Sequence, residues 1–355
     1  MRLAIRIAGV VALWLAFGAA FAQRVEGDRA GAHGMYEAEV NVNGQGETER
    51  NTAFARAMSQ VLGKLSGNRS AASMPGVGQE LRRARDYVKS YDYRQDEGRS
   101  ATGAPTYTTT LIVRFDQEQV DGIAATLGLP IWAEPRPKPV LWLAINDGRG
   151  PRLVALAQTG AARAVLDRAQ ERGYRLGLPS GSAAEQAAVG AIWRGDTAAI
   201  ARLSSRYSPP MQLIGKLYRA EGGGWTADWT FVDSGKVLST WTSTQPDARR
   251  AMASGADGAA DALSKKYAKR SSAAGTAGRY TVQIDGVRDS EDYLRLMSYL
   301  QSLAVVRGMA PVRANAEGLT LELDLITGLP GLKRALGNGE VLTADEGDAP
   351  VLHLR

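Results

Sequence analysis

The chain carries no cysteine, yet its first 22 residues read as an export signal. Arg2 and Arg6 form a short basic region, and residues 7–17 are an uncharged apolar run. Ala20-Phe21-Ala22 supplies the small-x-small pattern that a signal peptidase reads, so cleavage is expected after Ala22. The run is shorter than the roughly 20 apolar residues a membrane span needs, so no transmembrane helix is expected once the signal is removed. A lipoprotein is excluded by the usual route, because no thiol is available to carry the lipid. An exported chain of this kind has no disulfide, zinc–thiolate site or thiol nucleophile to rely on. It must be held by hydrophobic cores, and 355 residues suffice for two or three domains.

The formal charge is +6, and removing Arg2 and Arg6 leaves +4. Basic residues are dispersed among 37 acidic ones without a run of five. Pairs such as Arg82-Arg83, Arg249-Arg250 and Lys265-Lys266 fall in helical patterns, where a solvated face explains them. Nucleic-acid binding is therefore not expected.

Residues 23–34 lack periodicity and read as a disordered lead-in. From residue 35 apolar and polar residues alternate to Val42, which predicts a half-buried strand. A helix from about Glu47 follows, its buried stripe being Phe54, Ala57, Met58, Val61, Leu62 and Leu65, with Gly67 as its stop. A weaker helix is read on Leu81, Ala84 and Val88. Extended segments then start at Tyr91 and Tyr107, and Asp116 caps a helix ending at Gly128. Residues 35–132 thus form an α+β amino-terminal domain. Residues 133–139 contain three prolines and mark a linker.

The unbroken apolar run at 140–145 suits a strand covered on both faces. A helix at 161–171 and a short strand at 174–178 follow, then a helix capped by Asp196. Three strand patterns succeed one another. In the second, Trp225 and Trp229 share a face; in the third, Val237 and Trp241 do. A long helix opened by Asp247 completes a mixed-sheet α/β domain over 140–268. Residues 269–278, rich in Ser, Ala and Gly, read as a flexible tether. Residues 279–355 give the order βαββαβ of a small ferredoxin-like unit, with Ser290 as the cap of its first helix.

Catalytic apparatus is scarce. The two histidines, His33 and His353, lie in the lead-in and near the end of the chain, where neither a triad base nor a metal site is well placed. No phosphate-loop motif occurs. No cofactor and no metal are expected. Asp147, following the apolar strand, is the one carboxylate at a position where α/β proteins place ligands, although Asp147-Gly148 also reads as an ordinary turn. Trp193, Trp225, Trp229 and Trp241 fall within 50 residues and are the distinctive surface signal. They either fill the core between sheet and helix or form a partly exposed shelf for a peptide, glycan or partner protein.

The order of motifs has a counterpart. The segments AFARAMSQVLGKLSGN, YVKSYDYR, LGLPIWAEPRPKPVLWLAI, LSSRYSPPMQLIGKLYRAEGGGWTADWTF and GADGAADALSKKYA resemble an exported bacterial family, domain of unknown function 2066 (DUF2066). The likeness covers roughly residues 35–268. It implies an exported protein of Gram-negative bacteria with no assigned activity and no catalytic residues to carry over. At fold level the middle domain resembles the amino-terminal domain of TolB and the middle domain of the flagellar protein FlgT, both envelope components.

These readings converge on a periplasmic, non-catalytic binding or scaffolding protein of the cell envelope, whose partner is an envelope protein or glycan. A carboxylate-dependent hydrolase of cell-wall material using Asp147 is the first alternative, and a purely structural spacer the second.

Overall fold

The computed structural model describes residues 23–24, 34–99, 104–270, 275–315, 318–337, 339–344 and 351–355; the export signal and residues 25–33 of the lead-in lie outside them, while Gln23–Arg24, expected to be disordered, pair as a strand because Ser90 and Tyr91 offer an open edge. The chain is mixed α/β with several sheets. The first sheet is built from β1 (Gln23–Arg24), β2 (Glu37–Val42), β3 (Val88–Arg99) and β4 (Pro105–Phe115), in the order β1-β3-β4-β2. Helix α1 (Glu47–Ser66) lays the anticipated stripe on it, and all six stripe residues are buried. Gly67, at φ 67°, ends the helix in the left-handed region. The weaker helix breaks up. Helix α2 (Val77–Arg82) is followed by a 3₁₀ turn at Ala84–Tyr87, and Val88 already belongs to β3. Tyr87 and Val88 suit a pleated surface better than a helix end, and Val88 pairs with Phe115. Helix α3 (Gln117–Thr126) is capped by Asp116, which accepts from the Gln119 amide at 3.0 Å. The two-residue strand β5 (Pro130–Ile131) follows.

In the second large sheet the apolar run forms β6 (Val140–Asn146). Leu141 and Leu143 enter one core, while Val140, Trp142 and Ala144 enter another. Both faces are covered, so no polar residue is tolerated at alternate positions. The strand expected at 174–178 reduces to a single bridge between Val140 and Gly177. The edge place is taken by β7 (Arg152–Val154), antiparallel to β6. Helices α4 (Arg163–Glu171), α5 (Ala183–Gln186), α6 (Val189–Arg194) and α7 (Thr197–Leu203) come next. Strand β8 (Met211–Arg219) pairs in parallel with β6, and β9 (Trp225–Asp233) and β10 (Lys236–Gln245) continue antiparallel. The order is β10-β9-β8-β6-β7. Helix α8 (Ala248–Tyr267) and α4 share one core with one face of this sheet; α6 and α7 share the other core.

Of the stretch expected to be a tether, β11 (Lys269–Arg270) pairs with β5, and residues 271–274 lie outside the described residues. The last sheet contains β12 (Gly278–Asp285), β13 (Val306–Asn315), β14 (Gly318–Leu325), β15 (Leu342–Ala344) and β16 (Val351–Leu354), in the order β13-β14-β12-β16-β15. Helices α9 (Ser290–Ser302) and α10 (Gly328–Ala335) pack on it. The cap of α9 is Asp289, which accepts from the Asp292 amide at 2.9 Å, and not Ser290.

The first and last sheets share a continuous apolar core, and the Thr327 hydroxyl donates to the Thr126 carbonyl at 2.6 Å. The second sheet is fastened to the end of α1. Arg136 donates to the Leu65 carbonyl at 3.2 Å and Arg172 to that of Gly67 at 2.8 Å. A helix C-terminus presents unsatisfied carbonyls and partial negative charge, so guanidinium groups are its natural partners.

Candidate functional site

The site is built around two indoles that need space in a helix interface. Trp229 lies between Gly215 of β8 and Gly255 of α8; a Cβ at either position would fall 2.2 or 2.5 Å from its ring. A Cβ at Gly258 would fall 2.3 Å from Trp241. Mid-helix glycine costs about 1 kcal/mol against alanine, and here that cost is offset by ring packing. The two rings stack at 6.5 Å with 21° between planes. Trp229 Nε1 donates to the Ser254 hydroxyl and Trp241 Nε1 to the Ser254 carbonyl, each at 3.1 Å. Both polar handles are thus satisfied where the helix docks.

Beyond Trp241 the sheet edge and α8 enclose a groove of about 680 Å³. Leu238, Thr240 and Trp241 line it from β10, Gly258 and Lys265 from α8, and Arg69 from the turn after α1. A β-bulge sets this lining. Val237 pairs with Val232 but Ser239 pairs with Phe231, leaving Leu238 as the extra residue. One inserted residue reverses the alternation of faces. Val237 and Trp241, expected on a shared face, therefore sit opposite residues of different cores, Val232 and Trp229.

The acidic wall of the groove is neutralised from behind. Asp257 accepts from Arg168 at 3.0 Å and from Arg172 at 2.7 Å. Asp261 accepts from Arg172 at 2.7 Å and from Arg69 at 3.1 Å. Arg172 is buried, and a buried charge is tolerated only when paired in this way. Lys266 is held by Asp233, whose carboxylate pushes the ammonium pKa upward. Lys265 is exposed and makes no ion pair among the described residues. The groove is thus apolar at its base and, among the described residues, carries one uncompensated cation at its rim.

The four tryptophans do not form a single shelf. Trp225, Trp229 and Trp241 belong to the α8 face, but Trp193 packs on the opposite side of the sheet, 6.3 Å from Tyr218. Trp193 lies on α6, which covers the other core. Trp229 is 1% exposed, because two glycines admit it fully. Trp225 is half-buried under Arg219, whose guanidinium lies 4.2 Å above the ring. Of the four, Trp241 is the one that lines the groove beside α8, where it is half-buried.

Asp147 is occupied by its own turn. It accepts from Arg152 at 2.8 Å and from the Arg149 amide at 3.2 Å, and these bonds hold its carboxyl below the usual range. A carboxylate so held stays ionised and is a poor proton donor. The strongest carboxylate perturbation lies elsewhere, at buried Glu185. Burial acts to raise it, but hydrogen bonds from Ser180, Tyr207 and Ser182 outweigh that and hold it at about 2. The partners of Glu185 are loop and cap groups, so it staples α5 in place. Among the described residues no group of three His, Cys, Asp or Glu is positioned to hold a metal, and no helix is long and apolar enough to cross a membrane.

Sequence reading missed Leu238, Arg69, Gly258 and Lys265. The usable signal was Gly255 and Gly258, two glycines inside a helix, which mark a close approach by something large.

Residues 30–133 are similar to a family described as Domain of unknown function (DUF8605). That span takes in β2 to β5 and stops short of the groove-bearing sheet. The description differs from DUF2066, the family expected from the motifs. No curated protein matches the chain.

Proposed function

We propose that this protein is an exported, non-catalytic binding or scaffolding component of the bacterial cell envelope, and that the groove between β10 and α8 is where it holds its partner, a protein or glycan. In this reading it consists of an α+β domain over 35–132, a middle domain over 140–268 of the TolB amino-terminal type, and a ferredoxin-like domain over 279–355. The supporting observation is Trp241, an indole half-open to a groove of about 680 Å³. Large amphipathic side chains at the base of a pocket are the usual energetic centres of binding surfaces. A spacer has no need of such a groove, and Asp147 is tied up by Arg152 and its turn, which leaves the hydrolase reading without its first residue.

The test is photo-crosslinking in intact cells with a benzophenone amino acid at Leu238 and, as a control, at Val312 on β13. One recurring adduct from Leu238 and none from Val312 supports the proposal. Equal adducts from both positions, or none from either, overturn it. Fractionation of the same cells locates the chain, and retention of the unprocessed precursor in the cytosol overturns the export part.

A further inference from the structure

The edge strands of this molecule are not alike. β2 carries Glu37 and Glu39; β7 and β15 are three residues long. β13 is long but holds Arg307, Pro311 and Arg313 and has two register irregularities. Short strands, charges, prolines and bulges are how sheets keep foreign strands from their edges. β10 has almost none of these. From Val237 to Gln245 it has no charge and no proline, and its one bulge lies at the hairpin end, leaving Ser239–Gln245 in regular register. No strand pairs with its outer side among the described residues. The groove lies against the first part of this segment, from Leu238 to Trp241.

We infer that β10 receives an extended peptide segment of a partner protein as an added strand, with an apolar side chain of that segment in the Trp241 groove and an acidic one near Lys265. This rests on the binding role proposed for the groove and specifies its ligand. Strand addition supplies affinity through main-chain hydrogen bonds, and alternate side-chain pockets supply selectivity. Ser239, Trp241, Ser243 and Gln245 are the half-buried positions of β10, on the α8 face, so side chains of an incoming strand on that face meet the groove. The carboxylates of the wall are already compensated by Arg69, Arg168 and Arg172, so among the described residues the free charge facing the ligand is the Lys265 ammonium. That favours a carboxylate on the peptide over a basic group.

The test selects binders to the purified protein from a random dodecapeptide library, resynthesises them, and follows amide hydrogen exchange with and without peptide. The expected result is a set of peptides sharing an apolar and a nearby acidic residue. They should slow exchange at the outward-facing amides between Ser239 and Gln245 at least tenfold. Trp241→Ala should weaken binding at least about thirtyfold. Leu238→Asp, a change at an exposed bulge that spares the indole stack, should do so about tenfold. Peptides that bind without protecting these amides overturn strand addition while leaving a binding groove. Failure of peptides alongside binding of muropeptide fragments overturns the peptide assignment alone. Protection without any peptide, with a dimer mass by light scattering, identifies a second copy as the occupant and overturns the partner assignment. Binding of neither probe overturns this inference and the proposed function together.

Discussion

β10 and β13 are both ten-residue edge strands, and they treat their open sides oppositely. β13 is guarded by two arginines and a proline. β10 is unguarded and runs beside α8, which lines a groove there. An edge exposed without defence is a liability unless something is meant to join it. The difference therefore assigns the two edges different tasks: β13 closes a sheet, and β10 leaves one ready to be extended.

The contrast depends on α8 being held in place, and its largest test is Arg172. This buried guanidinium ties Asp257 and Asp261 of α8 to the Gly67 carbonyl of the first sheet's helix. Arg172→Ala leaves Asp257 to Arg168 and Asp261 to Arg69 but strips the Gly67 carbonyl of its charged donor, a loss of about 1.5–3 kcal/mol. Urea unfolding should show that loss. Hydrogen exchange should accelerate in β8 to β10 while β12 to β14 stay protected. Uniform acceleration would mean the two regions unfold as one unit and would weaken the contrast.

Exchanging the guards tests the edges themselves. Thr240→Pro with Ser243→Arg gives β10 the defences of β13 and should reduce capture of a selected peptide at least about thirtyfold, roughly 2 kcal/mol. The reverse set on β13, Arg307→Thr with Pro311→Thr and Arg313→Thr, should produce concentration-dependent association by light scattering. If the undefended β13 stays monomeric, edge composition is not what separates the two strands.

Gly258→Ala probes the space under Trp241. Alanine gains about 1 kcal/mol of helix propensity, but its Cβ meets the indole at 2.3 Å. Overpacking of that kind costs about 1–3 kcal/mol, so the net change should be a loss, with altered tryptophan fluorescence. Gly122 in α3 has open space where a Cβ would go, with nothing within 4 Å, and Gly122→Ala should be neutral or stabilising. Equal behaviour at the two glycines would remove the argument that Gly258 exists to admit the ring.

Much of the fold was legible because burial leaves periodic marks. The α1 stripe, the continuous apolar run of β6 and the Asp116 and Asp196 caps all appear where spacing places them. What failed was short or inserted. The β7 edge has three residues, too few for a period. The bulge at Leu238 adds one residue and inverts the alternation after it, so a face read across it comes out wrong. The groove was illegible for a related reason. Its residues come from β10, α8 and the turn at Arg69, and only the packing of α8 on its sheet and beside that turn brings them together. Composition identified the tryptophans but not which of them would stay open, since that was decided by glycines on neighbouring elements.

The smallest expected effect concerns charge. Lys265 is exposed and makes no ion pair among the described residues, so replacing it should cost the fold little, and any change belongs to the ligand. Lys265→Glu turns a favourable contact with an acidic peptide into a repulsive one across a solvated rim. Pairs of that type contribute about 0.2–1 kcal/mol, so affinity should fall about two- to tenfold by calorimetry. Much of the difference should disappear at high salt, because screening acts most strongly on exposed charges. The same substitution at Lys333 on α10, remote from β10, is the control that should leave peptide affinity unchanged. A loss at Lys265 that persists in high salt would place the ammonium in a buried contact with the ligand, and the groove would then be reading charge more closely than its exposed rim implies.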